Sequence, residues 1–378
     1  MAPAGHRRGL HWPAFGSAAG VPARAIGGQD ISTQNGPGQH PPSLQDVARL
    51  AGVHPSTASR SLAESPVRIS AATVARVRAA ARDLGYRPNA SAAALRTGSS
   101  RLIGVLVHRL TDLALSTMYA GVDAAATAAG YSAVVANGLD DPAVRHERVD
   151  ALLARGIDGV ILADARLDDT VAERLERLGV PYVLAMRTLP GHASVSTNDV
   201  EGGRLAARHL LELGHRTAAV AAGDALTSTG RDRTAGFRQA FADAGLPIPD
   251  RYVASTGFGV AAGHRAGELI CRQDPAPSAV FAVDDLTAVG VIGALRDAGR
   301  TVGTDVALVG YNDVELAAEL PVPLTSVRSD RDQMGRLAMQ LLLDRIAGRP
   351  VPSTLLPPLL VPRASTLGAS VPGASSPV

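Results

Sequence analysis

The chain has 378 residues, of which 46% are hydrophobic and 19% are charged, a composition typical of a globular protein of two or three domains that excludes a fibre. Its formal net charge is only +2 and all 37 basic residues are arginine, so any basic surface must be local. The longest apolar runs, such as RLIGVLV, are too short to cross a bilayer. A single cysteine, Cys271, leaves no intramolecular disulfide and fits a reducing cytoplasm.

Residues 1–42 are rich in Gly, Pro, Ala, Gln and Ser and have no sustained periodicity, which predicts a disordered extension. Arg7 and Arg8 have the form of a twin-arginine export signal. The apolar segment that should follow them is interrupted by Trp12-Pro13 and by several glycines. We therefore expect a cytoplasmic protein, with a mis-assigned start codon as a second explanation of this segment.

Ser43, followed by Asp46 three residues later, has the form of a helix capping box. The apolar stripe that comes next predicts a first helix over about 44–51, and Gly52 ends it.

Pro55 suits the first turn of a second helix, and a third helix is predicted from a cap at Ser70 to Gly85. Three short helices can bury a small shared core that no two of them could bury alone. Residues 43–88 therefore form a predicted helical domain of their own.

Residues 89–100 contain alanines and Leu95, which favour a helix, but the segment is too short to be a stable helix alone. We expect it to fold only against another surface, as a hinge helix or linker.

Residues 101–367 alternate between strand-like and helix-like patterns. The predicted strands are RLIGVLV, YSAVVAN, DGVILA, YVLAM, TAAVAAG, RYVAS, AVFAV and VALVGY. Alternation of this kind implies right-handed crossovers and parallel sheets covered on both faces, so we predict an α/β region about two subdomains long. The remaining residues, 368–378, are a Ser/Pro/Gly-rich segment that we expect to be a flexible tail.

A short helix, a glycine-containing turn and a second helix rich in small polar residues is the layout of the helix-turn-helix motif, whose second helix enters the major groove of DNA. The motifs LQDVARLAGVHPSTASRSL, LGYRPNASAAALRTGSS, LIGVLV, HLLELGH, RDRTAGF, VFAVDD, VALVGYND and PLTSVR follow in matching order across about 43–367. In this order they closely resemble the lactose-repressor (LacI/GalR) family of bacterial transcription regulators.

The resemblance implies an N-terminal all-α DNA-binding headpiece, a hinge helix and a type I periplasmic-binding-protein-like region of two parallel-sheet α/β subdomains. It also implies that the chain crosses between these subdomains three times. The expected subdomains are about 101–198 plus 329–350 and 199–328 plus 351–367. Such proteins act as homodimers or dimers of dimers on double-stranded DNA, and the absence of a C-terminal leucine-zipper heptad favours a dimer here.

The resemblance assigns DNA contacts residue by residue. Base-reading positions are Pro55, Ser56 and Arg60, and phosphate-contacting positions are Ser43, Leu44, Thr57, Ser59 and Asn89. An arginine can donate two hydrogen bonds to guanine, whereas hydroxyls and backbone N–H groups suit phosphate oxygens. Leu95 occupies the position at which the family inserts a hinge leucine into the minor groove, where it unstacks and bends the DNA.

Two headpiece positions depart from the family pattern. His54 stands where a serine usually begins the recognition helix, and Ala63 stands where an asparagine is usual near its end. Histidine is a poorer helix cap than serine, and alanine cannot donate a hydrogen bond to phosphate. We therefore expect a modest affinity or an unusual operator.

The resemblance also places a small-molecule effector in the cleft between the subdomains. The effector-binding positions are Arg233, Asp284, Asn312, Arg331 and Met186. Asp284 and Asn312 have exchanged residue types relative to the common family pattern, and Met186 replaces a usual aspartate. Hydrogen bonding to a polyol survives the exchange, because carboxylate and amide oxygens both accept hydrogen bonds.

The chemical class of the effector is left open by these residues. Only 3% of the chain is aromatic, so stacking on sugar rings must be limited. Arg233 and Arg331 together make a sugar phosphate or acid a rival to a neutral sugar. An ion pair between the subdomains is an alternative role for Arg331 and Asp285.

Two other classes of protein fit the sequence less well. A small-molecule receptor that no longer binds DNA is disfavoured by the intact headpiece and hinge. An enzyme is disfavoured because no G-x-S-x-G elbow, H-E-x-x-H pair or Walker loop occurs and the histidines do not cluster. We therefore predict a ligand-responsive transcription regulator, a repressor that binds an operator, with no cofactor, no metal, no catalytic residue and no membrane partner.

Overall fold

The computed structural model describes residues 42–62, 69–87, 98–168 and 170–368. The chain divides into two compact units on either side of the bond between Asn89 and Ala90. None of the helices in the described ranges combines the length and the apolar character that crossing a bilayer requires.

The first unit contains three helices, α1 (Leu44–Leu50), α2 (Pro55–Ser61) and α3 (Ala71–Asp83). The predicted capping box is present, since the Ser43 side chain accepts a hydrogen bond from the Asp46 N–H and the Asp46 carboxylate accepts one from the Ser43 N–H. Gly52 has a φ of +62°, a left-handed conformation that glycine adopts without strain, and it turns the chain from α1 towards α2.

The core of this unit is small and rich in alanine. Its buried members are Val47, Ala48, Ala51, Ala58, Val77, Ala80 and Ala81. Val47 and Val77 are fully buried, and each contributes on the order of 1.5–3 kcal/mol of hydrophobic stabilisation. Arg76 adds a polar contact, because its Nε donates to the Ala51 carbonyl oxygen at 2.8 Å and so ties α3 to the corner between the first two helices.

The first sheet of the second unit has six parallel strands. They are β1 (Leu102–Val107), β2 (Ser132–Asn137), β3 (Gly159–Leu162), β4 (Tyr182–Ala185), β5 (Ser194–Thr197) and β11 (Thr354–Leu356), in the spatial order β11-β5-β4-β3-β1-β2. The accompanying helices are α4 (Leu113–Ala128), α5 (Pro142–Leu153), α6 (Val171–Arg177) and α12 (Arg331–Ile346). Apolar clusters lie on both faces of the sheet, as a parallel sheet requires.

The second sheet also has six strands. They are β6 (Ala218–Ala222), β7 (Val253–Ser255), β8 (Ala279–Ala282), β9 (Ala307–Asn312), β10 (Thr325–Arg328) and β12 (Leu359–Val361), in the order β12-β10-β9-β8-β6-β7. Its helices are α7 (Asp199–Glu212), α8 (Ser228–Asp243), α9 (Val260–Cys271), α10 (Asp285–Asp297), α11 (Glu315–Glu319) and α13 (Ala364–Leu367), with a 3₁₀ turn at Asp250–Tyr252.

The chain passes between the two sheets three times, after β5, after β10 and between β11 and β12. The expected boundary of the last passage needs a correction. We assigned 351–367 to the second subdomain, but β11 pairs with β5 in the first sheet. The passage therefore lies between Leu356 and Leu359.

Four of these strands were not among those predicted. β5, β10, β11 and β12 are only three or four residues long, and β5 and β10 read SVST and TSVR, in which hydroxyl side chains break the apolar run. β12 also departs from the predicted all-parallel arrangement, since it pairs antiparallel with β10 at the sheet edge. Edge strands of this kind are common on otherwise parallel sheets.

Three pairs of helices pack so closely that a glycine on each lies against the backbone of the other. The reciprocal pairs are Gly121 and Gly335 in α4 and α12, Gly203 and Gly236 in α7 and α8, and Gly263 and Gly290 in α9 and α10. A Cβ atom added at any of the six would lie 2.0–2.2 Å from a backbone oxygen of the partner helix. No side chain can be accommodated there without moving a helix.

We expect Gly290→Ala to destabilise the protein, because the new methyl would meet the Val260 carbonyl oxygen at 2.1 Å. Overpacking of this kind costs about 1–3 kcal/mol. Gly293→Ala, on the same helix, is the matched control: its methyl would meet only the ring of His264 at 3.1 Å, so the gain in helix propensity of up to ~1 kcal/mol should make it neutral or stabilising. Urea unfolding midpoints measure both, and equal midpoints would contradict the packing argument.

Candidate nucleic-acid interface and ligand cleft

The recognition helix α2 has one buried and one exposed face. Ala58 and Ser61 are buried against the core, while Ser56 and Arg60, four residues apart, are exposed on the opposite face. The Arg60 Nε donates to the Ser56 carbonyl oxygen at 3.2 Å, so the guanidinium lies along the exposed face. The predicted base-reading pair therefore occupies one solvent-facing surface.

The remaining predicted contacts on α2 are only partly exposed. Pro55 is the first helical residue, and Thr57 and Ser59 flank the exposed face. Hydroxyls at the side of a helix that enters the major groove are well placed to donate to phosphates rather than to reach base edges.

His54 occupies the N-cap of α2 and fills it. Its Nδ1 accepts a hydrogen bond from the Ser56 backbone N–H at 3.3 Å and lies 2.8 Å from the Ser56 Oγ. The first turn therefore has an imidazole acceptor at the position where the family pattern usually has a serine hydroxyl. The contact also holds the Ser56 hydroxyl beside the His54 ring.

The polar groups at the start of α1 form hydrogen bonds with one another. The Ser43 Oγ donates to the Asp46 carboxylate at 2.6 Å, and the hydrogen bonds from the Ser43 side chain and backbone lower the pKa of Asp46. Leu44 packs its side chain onto the headpiece core, which leaves its backbone N–H as the group able to meet a phosphate. Asn89, Leu95 and Ala63 lie outside the described residues.

Charge in this region is strongly positive. Residues 43–89 contain seven arginines and three acidic residues, whereas the whole chain carries a formal charge of only +2. The excess positive charge is therefore concentrated in the small unit that holds the helix-turn-helix motif.

In the second unit, polar side chains gather where strands of the two sheets end. Arg233, in α8, is almost fully buried: its Nε donates to Asp199 at 2.8 Å, its Nη1 donates to the Val283 carbonyl oxygen at 2.7 Å, and its guanidinium lies 3.7 Å from the centre of the Tyr311 ring. Burial, and then the Asp199 carboxylate, raises the pKa of Tyr311 well above its usual value. The predicted ligand clamp is thus itself held by three groups.

Asp284 caps α10 through a hydrogen bond from the Thr287 N–H at 2.8 Å and accepts a second one from the Thr287 hydroxyl. Burial, and then the nearby Asp112 carboxylate, raises the pKa of Asp284. Asp112 caps α4 and lies 3.4 Å from the His108 Nε2. Two carboxylates, one from each subdomain, therefore interact through the cleft.

Arg331 begins α12 and reaches across to the second sheet, where its Nη2 donates to the Asn312 side-chain oxygen at 2.5 Å. Burial, and then the charge of Arg233, lowers the pKa of Arg331 to about 10, so the group stays charged at neutral pH. Among the described residues its Nε has no hydrogen-bond partner. Asn312 has a φ of +103°, a rare conformation for a residue with a side chain.

The alternative of an ion pair between Arg331 and Asp285 does not describe this structure. Asp285 accepts hydrogen bonds from the Val314 N–H at 2.9 Å and the Ser326 hydroxyl at 2.6 Å, and burial raises its pKa to about 7. It ties the start of α10 to β10 and to the N-cap of α11.

Met186 is placed differently from the other four predicted effector residues. Its side chain packs into the apolar core of the first sheet, and its φ is +65°. The next residue, Arg187, takes the polar role: its Nη1 donates to Asp140 at 2.8 Å and its guanidinium lies 5.7 Å from the centre of the Phe258 ring in the second subdomain. The left-handed backbone at Met186 thus accompanies a turn after which the Arg187 side chain lies towards the second subdomain.

Sequence reasoning missed several groups of the cleft. These are Asp112, Asp199, Tyr311, Arg187 and Phe258. Asp112 and Asp199 stand at the start of a helix, and Tyr311 and Arg187 stand at or just after the end of a strand. These are the positions at which parallel α/β sheets place ligand-binding groups.

Three contacts join the subdomains on the side of the cleft formed by the loops after β3, β4 and β6. The Arg166 Nη1 lies 2.8 Å from the Asp224 carboxylate, the Leu167 N–H donates to the Leu226 carbonyl oxygen at 2.8 Å, and the Thr188 N–H donates to the Ser228 hydroxyl at 2.8 Å. We call these the bridging contacts. They hold the two subdomains together in this structure.

Within the described residues no group of His, Cys, Asp or Glu side chains has the arrangement of a metal site. The groups described in the cleft are hydrogen-bond donors and acceptors, which suit the binding of a polar molecule.

Comparison with known proteins gives two family matches. Residues 43–89 match the family described as bacterial regulatory proteins, lacI family, and residues 207–366 match the periplasmic binding protein-like domain. The first match covers the helix-turn-helix unit, and the second covers most of the second subdomain together with α12.

Individual proteins agree with these matches. The ribose operon repressor of Escherichia coli K12 is 33% identical over 307 residues, which are 80% of this chain and 93% of that protein. A structure described as the transcriptional regulator CelR-cellobiose complex has 33% identity and a TM-score of 0.65 over 86% of this chain and 99% of its own. The lac repressor dimer bound to operator and the anti-inducer ONPF has 29% identity and a TM-score of 0.79 over 87% and 100%.

We expect Asp285→Asn to change how stability depends on pH. The folded chain keeps the Asp285 proton up to about pH 7, whereas the unfolded chain releases it near pH 4, so its contribution to stability is present below about pH 4 and is lost as pH rises to 7. Between about pH 4 and pH 7 the free energy of unfolding therefore falls by about 4 kcal/mol because of this group. An amide carries no charge; its oxygen can accept from the Val314 N–H and its NH2 group can donate to the Ser326 hydroxyl oxygen.

The variant should therefore gain stability relative to the wild type as pH rises from 4 to 7. Urea unfolding of both proteins at several pH values in this range measures the difference. A difference that is constant with pH would show that Asp285 does not titrate there.

Proposed function

Because the chain belongs to the LacI family of bacterial regulatory proteins, we propose that it represses transcription as a homodimer on a pseudopalindromic operator and responds to a hydroxyl-rich effector bound in the cleft. It is a DNA-binding transcription regulator and not an enzyme. The observation that carries the proposal is the exposed pair Ser56 and Arg60 on a capped helix of a strongly basic unit, in a chain whose other unit has a polar cleft.

Base reading by α2 is supported by its geometry. Arg60 can leave the Ser56 carbonyl oxygen and donate two hydrogen bonds to guanine O6 and N7, while Pro55 and Ser56 precede it at the end of the helix that enters the groove first. Ser43, Leu44, Thr57, Ser59 and Asn89 would fix the register through phosphates, and Leu95 would wedge into the minor groove.

A homodimer is favoured because one helix of seven residues spans only a few base pairs. Two copies related by a two-fold axis would read an inverted repeat and so double the number of specific contacts. The lac repressor similar to this chain is described as a dimer bound to operator. A cytoplasmic location follows from the proposal, since the operator is chromosomal DNA.

A neutral ligand fits the charges of the cleft better than an anion. The Arg233 charge is already matched by Asp199, with Asp284 also close to it, and Arg331 has Asp112 nearby, so each guanidinium group has a carboxyl group close to it. A hydroxyl group both accepts from arginine and donates to a carboxylate, whereas a phosphate can only accept at neutral pH. The related proteins named for ribose and cellobiose are consistent with a carbohydrate.

Effector binding would act through the relative position of the subdomains. The ligand would contact Arg331 and Asp112 from one side and Asp284, Asn312 and Arg233 from the other, and so change the balance between open and closed clefts. A coupling free energy of about 1–3 kcal/mol between ligand and operator is typical of such systems. The sign of this coupling depends on which form of the protein the ligand prefers. Preference for the form that binds the operator weakly gives induction, and preference for the form that binds it tightly gives corepression.

We expect Arg60→Ala to relax base preference at one position of each half-site, at a cost of roughly 1–3 kcal/mol in discrimination. Selection from random double-stranded DNA at one stated salt concentration, for the wild type and the variant, measures it. Arg49→Ala, an exposed arginine on α1 that is paired with Asp46, is the control and should keep the wild-type sequence preference. An unchanged preference in Arg60→Ala would remove the base-reading role.

The same selection tests the proposed function itself. The wild type should enrich an inverted repeat. A folded, dimeric protein that enriches no sequence, with or without candidate sugars, would favour the alternative of a receptor that no longer binds DNA.

We expect neutral pentoses, hexoses or disaccharides, and not sugar phosphates, to raise the melting temperature, because a ligand that binds only the folded state stabilises it. For the sugar that does so, Arg331→Gln should weaken binding roughly 10- to 100-fold, since a hydrogen bond from a charged donor contributes about 1.5–3 kcal/mol. Calorimetric titration measures both effects.

Arg336→Gln is the matched control on the same helix. Arg336 is exposed and paired with Asp332 on the surface, so its replacement should leave sugar affinity unchanged. A melting temperature raised by sugar phosphates alone would overturn the neutral-ligand assignment.

A further inference from the structure

A groove of about 340 Å³ lies at the carboxyl end of α3 in the first unit. We call it the α3 groove, and it is lined by Leu62, Arg78, Ala81, Arg82, Gly85, Tyr86 and Arg87. Leu62, Ala81 and Tyr86 belong to or pack against the headpiece core and form its base. The three arginines are exposed at its rim.

The rim arginines have no counter-ion among the residues that the structure describes. Within the described ranges Arg78, Arg82 and Arg87 form no ion pair, although Asp83 stands on the same helix. Exposed arginines on helices of the second unit are often paired, for example Arg336 with Asp332 at 2.6 Å and Arg208 with Glu201 at 2.5 Å. Arg78 and Arg82, four residues apart, also repel each other along the helix. The groove is therefore a local positive surface that a polyanion would neutralise.

The groove begins where the recognition helix ends. Leu62 is the C-cap of α2 and follows Arg60 by two residues, about 3 Å along a helix axis. The major groove of B-DNA is about 12 Å wide and is bounded by phosphates on both sides. A duplex that contacts the exposed face of α2 therefore has a phosphate strand close to the end of that helix.

We propose that the α3 groove is a second contact surface for the DNA backbone, in which Arg78, Arg82 and Arg87 bind phosphates that flank the bases contacted by α2. This rests on the proposed function and extends it, since none of these arginines is among the expected DNA contacts. Guanidinium groups form paired hydrogen bonds with phosphate oxygens, and each contact releases counterions from the duplex. An acidic protein segment is the rival occupant.

The test uses the full-length double variant Arg78→Gln/Arg82→Gln on the operator recovered by the wild type and on a scrambled duplex of equal length. Binding is measured over a series of salt concentrations. The slope of log K against log salt should become shallower by roughly 0.9 for each phosphate that the variant no longer neutralises. Affinity at low salt should fall for both duplexes alike, while the enriched sequence stays the same.

Two variants control for charge and for folding. Arg177→Gln/Arg272→Gln removes two exposed arginines of the second unit and should keep the wild-type slope. Arg78→Lys/Arg82→Lys keeps the charges and should keep most of the slope. Circular dichroism melting confirms that each variant is folded.

A glutamine variant whose slope equals that of the wild type would overturn the inference, and it would leave the groove to a protein partner. This result is distinct from failure of the proposed function, which is a wild type that enriches no sequence. In that case the slopes on the scrambled duplex still decide between the two occupants of the groove, because phosphate contacts do not require a specific sequence.

Discussion

Direct backbone contact between paired helices is the constraint on which the cleft depends. The six reciprocal glycines bring α4 against α12, α7 against α8 and α9 against α10 at a distance that no side chain permits. The groups of the cleft stand at or near the starts of these same helices: Asp112, Arg331, Asp199 and Asp284 lie at helix starts, and Arg233 lies beside the Gly203 contact. Helix packing therefore fixes where charge is placed, and the placement has little freedom to adjust.

The two units use one residue type for opposite purposes. In the cleft, arginine is buried and held: Arg233 by Asp199, a carbonyl oxygen and the Tyr311 ring, and Arg331 by Asn312. In the described part of the first unit, Arg78, Arg82 and Arg87 are exposed and form no ion pair. A guanidinium suits both settings, because it remains charged when burial lowers its pKa and because its planar donors suit carboxylates and phosphates alike. A chain without lysine can thus build a rigid cleft and a basic surface.

Much of the architecture could be predicted from the sequence, because apolar periodicity and helix caps are local signals. The Ser43 capping box, the Gly52 corner and the central strands are examples of this. β5 and β10 could not be predicted, since their stability comes from neighbouring strands rather than from their own residues. The boundary at residue 350 failed for the same reason, since β11 is defined only by its pairing with β5.

The cleft itself was only partly predictable. Arg233 and Arg331 could be located by family resemblance, but their partners Asp199 and Asn312 lie 34 and 19 residues away in the chain. Met186 has a left-handed backbone and packs into the core of the first sheet, and it is the neighbouring Arg187 that reaches Phe258 of the second subdomain. Which neighbour of a tight turn faces a cleft depends on backbone angles that a motif does not specify.

The bridging contacts between the subdomains bear on how fast the protein can respond. With Arg166 joined to Asp224, and Leu167 and Thr188 bonded to the opposite loop, the cleft is shut on this side. For the proposed ligand to enter or leave on this side, these bonds would have to break first. The rate at which the cleft opens, and not diffusion, would then set an upper limit on the rate of ligand association. After free ligand has disappeared from solution, the ligand-bound regulatory state would persist for about the lifetime of the shut form.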